Sequence, residues 1–317
     1  MAKNDILLLN HRNKRTFFQN LRHNWPLHVM MLFPFVYVLL FNYYPMYGIQ
    51  IAWKDYKPRA GIEGSAWVGW KWFQKFFANY KWKEIVLNTL AISTYSIAVG
   101  FPIPIILALI INTNRHSGLK KVAQNVSYLP HFISTVVMVG LLNQIFNPNT
   151  GLLGAIGKTF GIIIKGDLRG ASTAFRHLYV WSGVWQGMGW SAIIYVSALA
   201  GVSMELHEAA EIDGASRFRR IFVVDLPAIL PTISIMLILR AGSIMSVGFE
   251  KTYLMQKSTN TKTSEIISTY VYKEGLINNQ MGFGTAVGLM NNVFNTGMVL
   301  LANWIANLVS GGERGLF

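Results

Sequence analysis

Cysteine is absent from the 317-residue chain. That excludes disulfides, thiolate metal sites and a cysteine nucleophile together. Charge is scarce as well: Asp, Glu, Lys and Arg make up 13%, against roughly 25% in an ordinary soluble domain. A soluble multidomain protein is therefore a poor fit. Acids are the scarcer sign, 14 against 28 bases, and no two fall together within an apolar run, so a paired-carboxylate hydrolase has no visible residues. The seven histidines lack metal-ligand spacing; His177 and His207 sit near span ends, where interfacial residues belong. A net charge of +14 would suit a nucleic-acid binder, but such proteins gather Lys and Arg on a soluble face. Here the bases lie between apolar runs. The expectation is no catalytic residue, no metal, no cofactor and no nucleic acid.

What is present is apolar length. Hydrophobic residues reach 52% and mean hydropathy is +0.34, in uncharged runs long enough to cross a hydrocarbon core of about 30 Å, which takes about 20 helical residues. Six spans are predicted: 27–44, 85–111 with Pro102 and Pro104 inside, 127–146, 177–201, one following Pro227 and reaching 247, and 282–309. The runs are continuous rather than alternating, which favours helices over a membrane β-barrel. The fold class expected is all-α, a polytopic membrane protein. A basic stretch (Arg12, Lys14, Arg15, Arg22) precedes the first span with no small-residue cleavage site after it, so that span reads as a retained anchor rather than a secretory signal. Residues 1–84 then comprise an N-terminal segment, the first span and an outer loop; 85–317 form the core. Lys and Arg are spread almost evenly over the two sets of connections, so the positive-inside rule gives little orientation.

Two glycine patterns come near to nucleotide motifs and fail. Gly157-Lys158-Thr159 ends like a phosphate-binding loop, but the required earlier glycine is Leu152. Gly282-Phe283-Gly284 opens a dinucleotide pattern that breaks at Val287; small residues for close helix packing explain it better.

The segment 205–227 stands apart. It starts with strong helix formers and an acidic first turn (Glu205, Glu208), breaks at Gly214, resumes as Arg217-Phe218-Arg219-Arg220, and ends at Pro227. Physically it is a short helix, a hinge and a second amphipathic turn along the membrane surface. Ala209 and Ala210 keep one face small enough for another protein to approach. An amphipathic helix that merely anchors a loop is the competing reading.

At these residues a family resemblance enters. Glu208-Ala209-Ala210, Gly214 and Val224-Asp225-Leu226-Pro227 resemble the EAA loop of binding-protein-dependent ABC permeases, with Val224 where that family usually carries Ile. Tyr43 to Gly48, Ile51 to Pro58, Trp67-Val68-Gly69, Tyr128-Leu129-Pro130 and Gly248 to Lys251 are similar to the LplB-like branch, associated with oligo- and polysaccharide uptake. The resemblance implies a type I importer permease fold in the bacterial cytoplasmic membrane, with both termini and the EAA loop cytoplasmic. It implies as partners a second homologous permease subunit, a cytoplasmic ABC ATPase dimer that binds the ATP and Mg, an extracytoplasmic solute-binding protein, a glycan substrate and membrane lipid. Glu208, Ala209, Ala210, Asp213, Gly214 and Pro227 become candidates for coupling to the ATPase. Permeases for another solute, such as a sialic acid or a peptide, and a non-transport membrane scaffold remain alternatives.

Path residues are proposed on two grounds. Arg240 falls mid-way along the fifth predicted span, where a charge costs several kcal/mol unless it faces protein, water or substrate; it either clamps helices or lines a path. By position after the EAA loop, Arg240, Ser243 and Ser246 fall where the similar maltose permease contacts sugar. Trp185-Gln186-Gly187 falls, on the same count, beside that permease's sugar site, and a Trp next to a Gln offers a sugar both a ring face and a hydrogen-bonding partner. Trp181 suits an interfacial belt. Asn291, Asn292 and Asn295 either bond across helices or face the path. The outer loop at 49–83, rich in Trp, Tyr and Lys, serves either as a docking surface for the binding protein or as a self-packed cap.

Overall fold

The computed structural model describes residues 23–114, 116–161 and 167–310. Among these residues no strand forms; two isolated antiparallel bridges, Lys54 with Trp67 and Lys57 with Gly61, are the extended pairings. The all-α expectation holds.

Helix α1, Trp25–Val38, runs on through a π-turn, Leu39–Tyr43, and a 3-10 segment, Tyr44–Trp53. The first span is thus longer than the predicted 27–44: at Pro45 the chain tightens instead of stopping. No α1 side chain is buried, as suits a helix apolar all round in lipid. Helix α2, Lys71–Ala78, lies in the outer loop and turns Trp72 and Phe76 inward against Phe283 and Val287. The loop is therefore packed on the last helix. Next come α3, Trp82–Gly100, and α4, Pro102–Thr113. Pro102 at the first position of α4 costs no hydrogen bond there, and the pair counts as one span.

The third predicted span is corrected. Residues 127–146 are not one helix: α5, Ser117–Tyr128, extends by a 3-10 turn to Phe132, then the chain bends by 97° into α6, Thr135–Ile145. Pro130 removes a backbone donor, and the Ser134 hydroxyl caps the new helix by accepting from Val137 N at 3.3 Å. The near phosphate loop is mostly helix α7, Leu152–Thr159, with no strand before it.

Helix α8, Ser172–Ala200, is the central post and packs most extensively on α4. A 73° bend leads to α9, Met204–Ile212. The expected separate turn after Gly214 is corrected too: α10, Arg217–Arg220, continues through a π-turn, Ile221–Asp225, into α11, Leu226–Ala241. Helix α11 ends six residues short of the predicted 247, and Arg240 lies in its last turn rather than mid-span. Short helices α12, Phe249–Met255, α13, Thr261–Ser264, and α14, Ile267–Val271, lead to α15, Met281–Ser310.

Three described helices are long and apolar enough to cross a membrane, or up to five if each bent pair is one span. Helix α15 has the length, but Asn291, Asn292, Asn295, Asn303 and Asn307 dilute its apolar character.

Buried polar side chains fix the α12–α14 segment. Asn88 Nδ2 of α3 donates to the carbonyls of Lys262 (2.9 Å) and Glu265 (3.1 Å), and its Oδ1 accepts from Arg176 Nη2 at 2.8 Å. Asn260, fully buried, donates to the carbonyls of Arg169 and Met255 and accepts from Lys257 N and Ser264 Oγ, so its bonding capacity is used. Beside it Asp167 bridges Arg169 (2.6 Å) and Lys257 (3.2 Å); the Arg169 hydrogen bond leads in holding its carboxyl at about 2.

Candidate functional site

The early end of α11 opens a cavity of about 280 Å³. Gly242 lets the chain pass close to α15 there: a Cβ would overlap the Val299 side chain. Ser243 binds the Arg240 carbonyl twice, through its hydroxyl at 3.0 Å and its backbone N–H at 3.2 Å. Asn295 of α15 holds the turn from the other side, donating to Ser246 Oγ at 2.8 Å and accepting from Met245 N at 3.0 Å. Within the turn Met245 and Val247 are buried, while Ser243 and Ser246 line the cavity.

Ser93, Ser96 and Gly100 of α3 line the cavity, with Tyr179, Gln186 and Gly187 of α8. The α11 end and the following turn supply Arg240, Ser243 and Ser246, and α12 supplies Lys251. Five of the proposed path residues thus meet: Gln186, Gly187, Arg240, Ser243 and Ser246. Trp185 and Asn292 are not brought in. The Trp185 ring is 45% exposed on another side of α8, and Asn292 borders a separate, mostly apolar groove with Gly284 and Gly288. Gln186 has a structural tie as well, donating Nε2 to the Ile133 carbonyl at the α5–α6 bend at 2.6 Å.

The cavity carries two cations, Arg240 and Lys251, and no carboxylate among its lining residues. Among the described residues the Arg240 guanidinium has no hydrogen-bonded or ion-paired partner. Lys251 Nζ donates to the Tyr179 carbonyl at 2.9 Å and sits 4.8 Å from the centre of that residue's ring. Burial pushes its ammonium down to about 8. In the sequence Lys251 stands out only as part of the stretch similar to the LplB-like branch. Its one local signal is a charge just past the end of an apolar run.

At the far end of α8, the first helix of the 205–227 segment and its stop at Gly214 form as the sequence suggests. Ser203 caps α9, its hydroxyl accepting from Glu205 N at 3.2 Å. The helix ends in a Schellman motif: Ala215 N bonds the Ala210 carbonyl (2.9 Å) and Gly214 N that of Glu211 (3.0 Å). That geometry requires the positive φ of Gly214, 74°. No α9 residue is buried; Glu208, Ala209 and Asp213 are exposed and Ala210 is half-buried. Pro227 follows directly on the π-turn, in the first turn of α11, where its missing N–H withdraws a donor from the preceding turn.

Residues 100–311 match the family described as "Binding-protein-dependent transport system inner membrane component". The chain belongs to that family. It is a multi-pass component of an inner-membrane transporter that works with a solute-binding protein, and the match covers the break, α9 and the cavity lining from Gly100 onward. Among curated relatives of this permease, the "Polygalacturonan/rhamnogalacturonan transport system permease protein YteP" of Bacillus subtilis (strain 168) is 37% identical over 100% of this chain and 97% of its own. "Protein LplB" of the same organism is 37% identical over 93% and 92%. In structure the permease is similar to a chain of a bacterial alginate ABC transporter solved in complex with alginate pentasaccharide-bound periplasmic protein. The TM-score is 0.85 at 33% identity, over 95% of this chain and 100% of that one.

Proposed function

We propose that this permease carries an acidic oligo- or polysaccharide into the cell by alternating access, driven by a separate ATPase that docks on α9. The observation that carries the substrate class is the cavity: Arg240 and Lys251 face it and no acid does. Among the described residues neither cation has an acidic partner, and Arg240 is exposed, so its guanidinium is open to pair with a uronate carboxylate. The serine hydroxyls and the Gln186 amide offer hydrogen-bond partners to sugar hydroxyls. Relatives named for polygalacturonan/rhamnogalacturonan and neighbours solved as importers of "the acidic polysaccharide alginate" support the same reading. Trp185 joins the path in this proposal if the second permease closes against the outward face of α8. Hydrolysis is assigned to the partner ATPase, with α9 and both termini on the cytoplasmic side.

The test is uptake by the reconstituted complex, with its binding protein, of a uronate oligosaccharide and of the same oligosaccharide with its carboxyls reduced. The acidic substrate should be strongly preferred, and Arg240→Met or Lys251→Met should narrow that preference. Equal uptake of both substrates by the unaltered complex would exclude the acidic class.

A further inference from the structure

At the α9 end, separate elements converge on one carboxylate. Asp225 closes the π-turn before α11 and is only 4% exposed. Its Oδ1 accepts from Asn112 Nδ2, at the end of α4, at 3.2 Å. His207 Nε2, from the middle of α9, lies 3.5 Å from the same oxygen. Arg220 of α10 pairs with Glu211 of α9 at 2.8 Å, at the side of the same 360 Å³ polar pocket. Lys120 and Arg217 complete its charged lining.

Helix α9 has little else to hold it to the bundle. None of its side chains is buried, and among the described residues its side-chain contacts to charged groups are the approach of His207 to Asp225 and the Glu211–Arg220 pair. The two attachments differ. Glu211 is 64% exposed, and such a pair contributes little. Asp225 is enclosed, and it sits at the foot of α11, whose other end carries Arg240 into the cavity. An apolar side chain would hold this turn with less desolvation penalty. A carboxylate gripped from α4 and α9 differs from an apolar contact in fixing direction: it resists sliding.

We propose that His207 and Asp225, backed by Asn112, form the strap through which displacement of α9 reaches α11 and α4. Asp225 is a positioning residue, acting on the cavity through the helix it begins. This inference rests on the reading of α9 as the ATPase-docking helix.

The test uses the complete complex in proteoliposomes, reading solute transported per ATP hydrolysed. His207→Ala, Asp225→Asn and Asn112→Ala should each lower that ratio by about threefold to tenfold, while the assembled complex is recovered in normal amount. The His207→Ala/Asp225→Asn double variant should be no worse than either single one, because both remove one link. Asp225→Glu should restore part of the ratio. Unchanged ratios, multiplying effects, or a loss that tracks reduced assembly would overturn the strap. His207→Ala keeps the test open if Asp225→Asn fails to fold, since His207 is partly exposed. Glu208→Lys separates the two readings. If it blocks ATPase recruitment while His207→Ala leaves the ratio intact, the strap alone is wrong; if neither variant has an effect, the docking role of α9 fails first.

Discussion

Lys251 and Arg240 share the cavity, but only the lysine has a proton to lose near physiological pH. Its ammonium is held down to about 8 by burial, from an ordinary 10.5. Uptake of an acidic glycan should therefore fall as external pH rises through about 8, while the glycan carboxylates stay ionised. Unfolding does not mimic this trend. A lysine whose folded pKa is lowered leaves the unfolded state binding more protons between the two values, so its contribution to stability rises with pH across that window. Lys251→Arg should keep uptake flat to higher pH, and Lys251→Met should lower it at every pH. A wild-type uptake profile flat from pH 7 to 9.5 would remove Lys251 from the path. Arg240→Lys should retain part of the activity with a charged glycan. The role of Arg240 was open in the sequence between clamp and path; with no protein counter-ion among its described neighbours, the clamp loses its partner.

Elements were legible where one physical rule sets them and obscure where two compete. Apolar runs report membrane depth, so the existence of most spans could be read, as could the cap, helix and Gly214 stop of α9. Apolarity says nothing of continuity. Pro130 and Ser134 sit within a run that is apolar on both sides of a 97° bend, and the end of α11 at Ala241 is hidden in the same way. The cavity depends on that break, so the residue types of five lining positions are legible in the sequence while their meeting is not. Close approaches were also invisible, since a glycine in a helix reads as small rather than as obligatory. A Cβ on Gly189 of α8 would overlap the Ser127 backbone; Gly189→Val should destabilise the protein by about 1–3 kcal/mol, seen as a lower Tm in detergent. Asn88→Ala strands two carbonyls and Arg176 at the top of α3, and should cost about 1–3 kcal/mol. A Tm within one degree of wild type would mean that water replaces those bonds.

At the scale of the whole molecule, alternating access requires that movement of α9 on one side of the membrane change which side the cavity opens to. The proposed orientation puts α9 and both termini in the cytoplasm. The absence of native cysteine makes the test clean. Ser216 is exposed at the start of α10, and a lone Ser216→Cys should react with a membrane-impermeant maleimide only in inverted vesicles. Labelling of intact cells would reverse the topology, and with it the assignment of α9 to the ATPase. Given that orientation, Gly214→Val should separate transport from stability. The left-handed backbone it must keep costs an L-residue roughly 1–2 kcal/mol, yet the strain falls on an exposed loop that buries no core residue. The bundle should therefore survive with a Tm close to wild type, while the end of α9 frays and docks poorly. Transported solute per ATP should drop, and binding-protein affinity for its glycan, a property of another chain, should stay the same. A Gly214→Val complex with a normal transport ratio would show that the coupling contact does not need the ordered end of α9.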